Sequence, residues 1–263
     1  MPRKNKTKKY RKNKKSKKTG GGIEFSKHKL AIIMPYRDRI NHLETITKYL
    51  NVYLDLQKIN YDIFVIDQND NKPFNRAKLL NVGFDISSKL GTYDYFITHD
   101  IDELPINSDY SYNDTPISLL GHFPNKWDQK NYGSHDTMHD SRLTVSKNNM
   151  GGVVLFTEDN FRKLNGYSNS FIGWGGEDDD FASRVKHIFH SIKRRPGIYA
   201  RLPHKKVNLS DEFRNEPNPN YQHNKKLLEN SVENMFKDGL NTLSYSIDSK
   251  EDNKFYKLFK VNI

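Results

Sequence analysis

A chain of 263 residues can hold one large domain or two small ones. With 35% apolar and 12% aromatic residues it can build a sizeable core despite a mean hydropathy of -0.88. The absence of cysteine excludes disulfides and thiolate metal sites, and the longest strongly apolar run, Leu30–Met34, is far too short to span a membrane as a helix.

The net charge of +11 points first to nucleic acid, but its location changes that reading. Residues 1–19 carry 11 Lys and Arg and no acid, which leaves 32 basic against 32 acidic residues in the rest. Residues 1–22 therefore read as a basic disordered tail with a Gly20-Gly21-Gly22 joint, able to touch a polyanion weakly through residues 1–19. The folded domain is expected over residues 23–263. No apolar region follows the charged stretch, so no secretory signal is expected.

The elements of the domain follow in chain order. Lys29–Met34, ending at Pro35, predicts a buried strand. Ile40, Leu43, Ile46, Leu50 and Leu54 recur at helical spacing. Tyr61–Ile66 predicts a second strand, and Asn75 to Leu90 a helix packing through Ala77, Leu80, Val82 and Ile86. Tyr93–Thr98 predicts a third strand, ending in His99-Asp-Ile-Asp102. This alternation is the pattern of a parallel α/β sheet, whose ligands bind beyond the carboxyl ends of the strands. Residues 105–148 are polar and weakly periodic, a loop with one short strand at Ile117–Leu120. A strand over Gly151–Phe156 and a short helix over Glu158–Leu164 follow. A helix begins with the acids of Phe171-Ile-Gly-Trp-Gly-Gly-Glu-Asp-Asp-Asp-Phe181 and packs through Phe181, Val185, Ile188 and Phe189. A polar helix over Tyr221–Phe236 and a closing strand over Leu240–Ile247 complete the chain.

Four constellations carry chemistry. Asp100 and Asp102 alternate on an extended segment, so both carboxylates can face one ligand. Hard oxygens suit Mg²⁺ or Mn²⁺, which neutralise a diphosphate, although an acidic surface loop would read the same way. Arg37 and Arg39, with Arg76, offer guanidinium forks to phosphate, and Phe74 a face for a base; salt bridging at a strand end is the simpler alternative. In Gly173-Trp-Gly-Gly-Glu-Asp-Asp-Asp180, a tryptophan between glycines suits a sugar ring, one carboxylate can act as general base and a neighbour can hold hydroxyls. Helix capping explains one or two of those acids but not the tryptophan. His204 is a candidate nitrogen ligand, though spacing alone does not select it among ten histidines.

These stretches, with Ile33-Met-Pro-Tyr-Arg-Asp-Arg39, Phe74-Asn-Arg-Ala-Lys-Leu-Leu-Asn-Val-Gly-Phe84, Gly151-Gly-Val153 and Asp238-Gly-Leu-Asn-Thr-Leu-Ser-Tyr245, resemble the β-1,4-galactosyltransferase family from about residue 28 to 250. The resemblance implies the GT-A fold, a Rossmann-like nucleotide-sugar-binding mixed sheet flanked by helices in a single domain. It also implies metal-dependent inverting transfer of a hexose from a UDP-sugar to a glycan acceptor. By the same resemblance, Pro35, Arg37, Arg39, Phe74, Arg76 and Asp100 contact the donor, and Trp174 moves over donor and acceptor. Asp178 is then the base, with Gly175, Glu177 and Asp179 on the sugar, and Asp102 and His204 hold Mn²⁺ or Mg²⁺.

The chain departs from the pattern at several points. Arg201 stands where the family has a methionine metal ligand, Ile172 where it has a second tryptophan, and Asn149 where an aromatic helps to exclude an N-acetyl group on the donor. The acceptor pocket differs around Tyr221, Gln222 and Lys225, and residues 121–148 are longer than the family's. Galactose is therefore the first expectation for the donor sugar, with N-acetylgalactosamine open. The family's membrane anchor and disulfides have no counterpart, which predicts a cytoplasmic or otherwise soluble, non-secretory protein. Two other readings remain open: a UDP- or sugar-binding pseudoenzyme that has lost its metal, motivated by Arg201, and a polyanion-binding protein acting through the tail.

Overall fold

The computed structural model describes residues 25–122, 150–173, 175–203 and 219–263. The basic tail, the Gly joint and most of the 121–148 insertion lie outside them, as do Asn149, Trp174 and His204.

The strands are β1 (Lys29–Tyr36), β2 (Asn60–Gln68), β3 (Tyr95–His99), β4 (Glu103–Asn107), β5 (Ile117–His122), β6 (Val153–Phe156), β7 (Lys193–Arg201), β8 (Ser246–Asp252) and β9 (Lys257–Asn262). They form one sheet in the order β4-β7-β5-β6-β3-β1-β2-β9-β8. Its centre is parallel: β1 pairs with β2 and β3, and β2 with β9. Around β6 and at both edges the pairing turns antiparallel, so the sheet is mixed. The uninterrupted apolar run of β1 follows from this position, because a central parallel strand is covered on both faces; Leu30 to Met34 are wholly buried.

The helices are α1 (Ile40–Leu56), α2 (Arg76–Leu90), α3 (Glu158–Lys163), α4 (Glu177–Phe189), α5 (Pro219–Glu229) and α6 (Ser231–Asn234). One face of the sheet packs on α1 through Leu43, Ile46, Leu50 and Leu54. The other packs on α2, α3 and α4 through Ala77, Leu80, Phe84, Phe161, Phe181 and Val185. The result is a helix–sheet–helix sandwich with a core on each side. Ile40, at the start of α1, lies outside the apolar stripe and is 53% exposed.

As far as β3 the chain follows the sequence reading within a residue or two. The closing strand predicted over Leu240–Ile247 is overturned: Leu240–Thr242 form one turn of 3-10 helix, and β8 begins only at Ser246. The helix predicted over Tyr221–Phe236 is broken at Asn230 into α5 and α6. Three strands, β4, β7 and β9, lie outside the expected set. In β7 the run Lys193-Arg-Arg-Pro-Gly197 hides the pattern, since proline donates nothing to a ladder, and its pairing with β5 slips in register around that stretch.

Candidate active site

The carboxyl ends of β1, β2 and β3 meet at one side of the sheet. The segment after β1 delivers Arg37 and Arg39, and the turn after β3 delivers Asp100 and Asp102. The loop after β2 ends at Asn75, whose side chain caps α2 by accepting from the Lys78 N–H at 2.8 Å. That cap sets Arg76 as the first residue of α2, with its side chain over the Asp100 turn.

Arg76 joins two parts of the chain that lie far apart in sequence. Its Nε donates to Asp100 Oδ1 at 2.8 Å and its Nη1 to Asp178 Oδ1 at 2.8 Å, with Glu177 Oε1 at 3.8 Å. Its Nη2 is buried and has no hydrogen-bond partner among the described residues. Burial opposes the Arg76 charge, but Asp100, Asp178 and Glu177 together hold its pKa well above the usual value. The carboxylates around it are pushed the other way. Burial, with Asp102 and Asp178 adding repulsion, raises Asp100 to about 6 against the pull of Arg76. Burial and the neighbouring Asp178 raise Glu177 to about 7, and the same two causes raise Asp179.

Glycine geometry fixes Asp178. A Cβ on Gly151 would lie 2.0 Å from Asp178 Oδ2, so the carboxylate sits directly over that backbone and only glycine leaves it room. Oδ2 is the oxygen that Arg76 leaves free. Gly176, which precedes α4, has φ of +93°, a left-handed conformation that side chains rarely adopt. It turns the chain so that Glu177 and Asp178 enter the site from the first turn of the helix, where carboxylates match the helix dipole.

The acids of that turn have separate surroundings. Asp180 faces away from the site: its Oδ2 accepts from Arg184 Nε at 2.7 Å and its Oδ1 from the Ser231 hydroxyl at 2.6 Å, with both ionic side chains essentially buried. Arg184 also donates to the carbonyls of Gly166 and Asp238, so the pair ties α4 to the loops beneath it. The helix dipole alone, the simplest explanation of an acid in this turn, does not account for such a pairing.

The glycine loop before α4 is held from two sides. Gly173 N–H donates to the Phe74 carbonyl at 2.8 Å. Asn224 of α5, 2% exposed, accepts from Ile172 N–H and donates to the Ile172 and Gly175 carbonyls. Sequence reasoning missed Asn224; in a polar helix without its partners in view, nothing distinguishes one asparagine from its neighbours.

Arg37 directs its whole fork at the loop that carries Phe74. Its nitrogens donate to the carbonyls of Gln68, Asp70 and Lys72 at 2.9–3.3 Å, and its guanidinium lies 5.7 Å from the Phe74 ring centroid. Arg39 is more exposed and lies 3.6 Å from Asp102 Oδ2. Pro35 is buried near the end of β1. Arg201, at the end of β7, donates from Nε at 2.8 Å and also from Nη2 to Glu103 Oε1, while Glu103 Oε2 is buried without a partner among the described residues. Burial raises Glu103 to about 8, opposed by Arg201.

Among the described residues of this corner, the acids Asp100, Asp102, Glu103, Glu177 and Asp178 outnumber the cations Arg39, Arg76 and Arg201. Among the described residues no three acids or histidines converge closely enough to hold a metal on their own. The residue types nonetheless fit a hard divalent cation, since Asp100 and Asp102 offer carboxylate oxygens that repel one another and would gain from a nearby positive charge. Leu202 N–H donates to the Asp102 carbonyl at 2.8 Å, so the chain leading to His204 leaves β7 beside the same turn. No helix among the described residues is long and apolar enough to cross a membrane.

The family model for the N-terminal region of glycosyl transferase group 7 matches residues 2–114, and that for the N-terminal domain of galactosyltransferase matches residues 138–206. Beta-1,4-galactosyltransferase 1 of Mus musculus is 33% identical over 250 residues, 94% of this chain and 58% of the relative. Beta-1,4-galactosyltransferase 5 of Mus musculus is 36% identical over 238 residues, 89% of this chain and 56% of the relative. The chain thus spans a little over half the length of these curated relatives. The catalytic domain of Drosophila beta1,4galactosyltransferase 7, solved in complex with xylobiose, matches with a TM-score of 0.69 at 25% identity over 90% of this chain and 94% of that one. A mutant of the Drosophila enzyme, solved with manganese, UDP-Gal and xylobiose, shares the fold with a TM-score of 0.65 at 24% identity, over the same 90% and 94%. Sheet order, motif placement and these matches lead to one conclusion: the chain belongs to the β-1,4-galactosyltransferase family and has the GT-A fold.

Proposed function

We propose that this protein is a metal-dependent inverting glycosyltransferase that moves a hexose, galactose before N-acetylgalactosamine, from a UDP-sugar to a hydroxyl of a glycan. The observation that carries the proposal is the Arg76 bridge, which couples Asp100, assigned to the diphosphate, to Asp178, assigned to the acceptor.

Asp178 is the general base. Arg76 on Oδ1 orients the carboxylate, and Oδ2 takes the acceptor proton. The acceptor oxygen then bonds to the anomeric carbon on the face opposite the leaving group, and the bond from that carbon to the diphosphate oxygen breaks, leaving its electron pair on UDP. One displacement inverts the centre. Glu177 and Asp179 hold sugar hydroxyls; with its pKa near 7, Glu177 can donate as well as accept. Phe74 packs on the uracil, with Pro35 beside it, and Arg37 acts by holding the Phe74 loop, while Arg39 stands at the phosphates. Trp174, with Gly175, covers the sugar. Asp102 and His204 would hold Mn²⁺ or Mg²⁺, which when bound neutralises the diphosphate.

A screen of UDP-sugars against a glycan array, with and without Mn²⁺, tests the reading. Metal-dependent transfer from UDP-galactose, lost on Asp102→Ala, is the expected result; no metal-dependent turnover from any UDP-sugar would rule it out. The second reading, a UDP-sugar-binding protein without turnover, is favoured by the Arg201–Glu103 pair at the metal corner and predicts binding without transfer in the same screen. Gly151→Ala tests the base placement separately. The added methyl must push Asp178 aside, so transfer should fall about 100-fold, the scale of an ångström misplacement. Thermal unfolding and UDP affinity should change little.

A further inference from the structure

The turn bearing Asp100 and Asp102 is backed by a histidine that the mechanism above leaves unused. His99, the last residue of β3, is fully buried. Its Nδ1 lies 2.7 Å from the Asp100 carbonyl oxygen and its Nε2 2.8 Å from the Tyr110 hydroxyl. A carbonyl oxygen only accepts, so Nδ1 carries the proton. In a neutral ring Nε2 is then the acceptor, and Tyr110 donates to it. Tyr110 in turn belongs to the scaffold. Its N–H donates to Gln57 beside α1 at 3.1 Å, and its carbonyl accepts from the Tyr95 hydroxyl at 2.9 Å. On the far side of the turn, Asp100 N–H donates to the Gly152 carbonyl at 3.0 Å. The backbone of Asp100 is thus held at its N–H by the β6 entry and at its carbonyl by His99.

We infer that His99 is a positioning residue for the diphosphate and metal corner: with its tautomer set by Tyr110, it fixes the carbonyl of Asp100 and so aims the carboxylates of Asp100 and Asp102. The inference rests on the transferase reading, but its test needs no turnover. UDP with Mn²⁺ is titrated calorimetrically into the full chain and into His99→Asn, His99→Gln and Tyr110→Phe, with thermal unfolding of each. Asparagine presents an N–H near the Nδ1 position and keeps the Asp100 contact. Glutamine reaches only the Nε2 position and loses it.

Affinity should stay within about 3-fold of wild type in His99→Asn and fall roughly 10-fold or more in His99→Gln, as for lost outer-shell partners of metal ligands. Tyr110→Phe should weaken it by about 3-fold, one hydrogen bond's worth. A histidine that only fills the core predicts equal losses for Asn and Gln at matched thermal stability, and that result overturns the inference while leaving the transferase reading intact. Should both His99 variants fail to fold, Tyr110→Phe decides, and unchanged affinity there overturns it. A wild-type chain that binds no UDP with Mn²⁺ removes the transferase reading and this inference together.

Discussion

Asp178→Asn is expected to lower transfer by roughly 10²- to 10⁴-fold, the usual contribution of a general base. Asparagine keeps the shape of the side chain and can still accept from Arg76 Nη1 through its amide oxygen, so the site should remain assembled. What it cannot do is take a proton from the acceptor hydroxyl. The loss should therefore appear in kcat, with UDP affinity within a few-fold of wild type. Asp179→Asn gives the comparison. Asp179 is adjacent in sequence but makes no contact with Arg76 among the described residues, and its loss should cost about 10-fold, in keeping with one or two hydrogen bonds to a sugar. Steady-state kinetics on the two variants with one acceptor separates the roles. Equal effects would mean that the bridge to Arg76 does not single out the base.

Arg184→Met is expected to destabilise the fold by about 3–5 kcal/mol, because it leaves the Asp180 carboxylate buried without its counter-charge. Urea unfolding followed by far-UV circular dichroism measures it. The double change Asp180→Leu with Arg184→Met should recover much of the loss, since an apolar pair of similar volume avoids the desolvation of both ions. The Ser231 hydroxyl and the carbonyls of Gly166 and Asp238 lose partners in that variant, so recovery should be incomplete. Transfer activity at a temperature where the double variant is folded should be close to wild type. The expected contrast divides the acidic run by function, with Asp178 proposed to serve chemistry and Asp180 the fold. A double variant with native stability but no activity would place Asp180 in the site after all.

Much of the architecture is legible in the sequence itself. The strands β1, β2 and β3 and the helices α1 and α2 show themselves because each buries a face through local periodicity: the continuous run of Leu30–Met34, or the spacing of Leu43, Ile46, Leu50 and Leu54. Their order also puts the Arg37 segment and the Asp100 turn at strand ends. The strands that escape a sequence reading owe their existence to neighbours. β7 is basic and broken by a proline, and it becomes a strand because β4 and β5 flank it. Phe259 and Val261 of β9 do alternate, but six residues at the end of a chain give a weak signal.

The site divides in the same way. Glu177 to Asp180 are conspicuous as a run, yet their different environments depend on residues far away in sequence. Arg76 lies 102 residues from Asp178, and Ser231 lies 51 residues from Asp180. The i,i+4 spacing of Asp180 and Arg184 is local, but nothing local states that Asp178 meets Arg76 or that the Asp180 pair is buried. Arg37 shows the opposite case. Its position after a strand suggests phosphate, but the carbonyls of Gln68, Asp70 and Lys72 claim its donors.

The central claim is single-displacement transfer, with Asp178 removing the acceptor proton as UDP departs. The most direct measurement is the anomeric configuration of the first product, read by NMR from the coupling of the new anomeric proton after reaction of UDP-α-galactose with an acceptor found on the array. A β-linked galactoside, formed by wild type and not by Asp178→Asn, is the predicted result. An α-linked product, or β-linked product formed at an undiminished rate by Asp178→Asn, would contradict it.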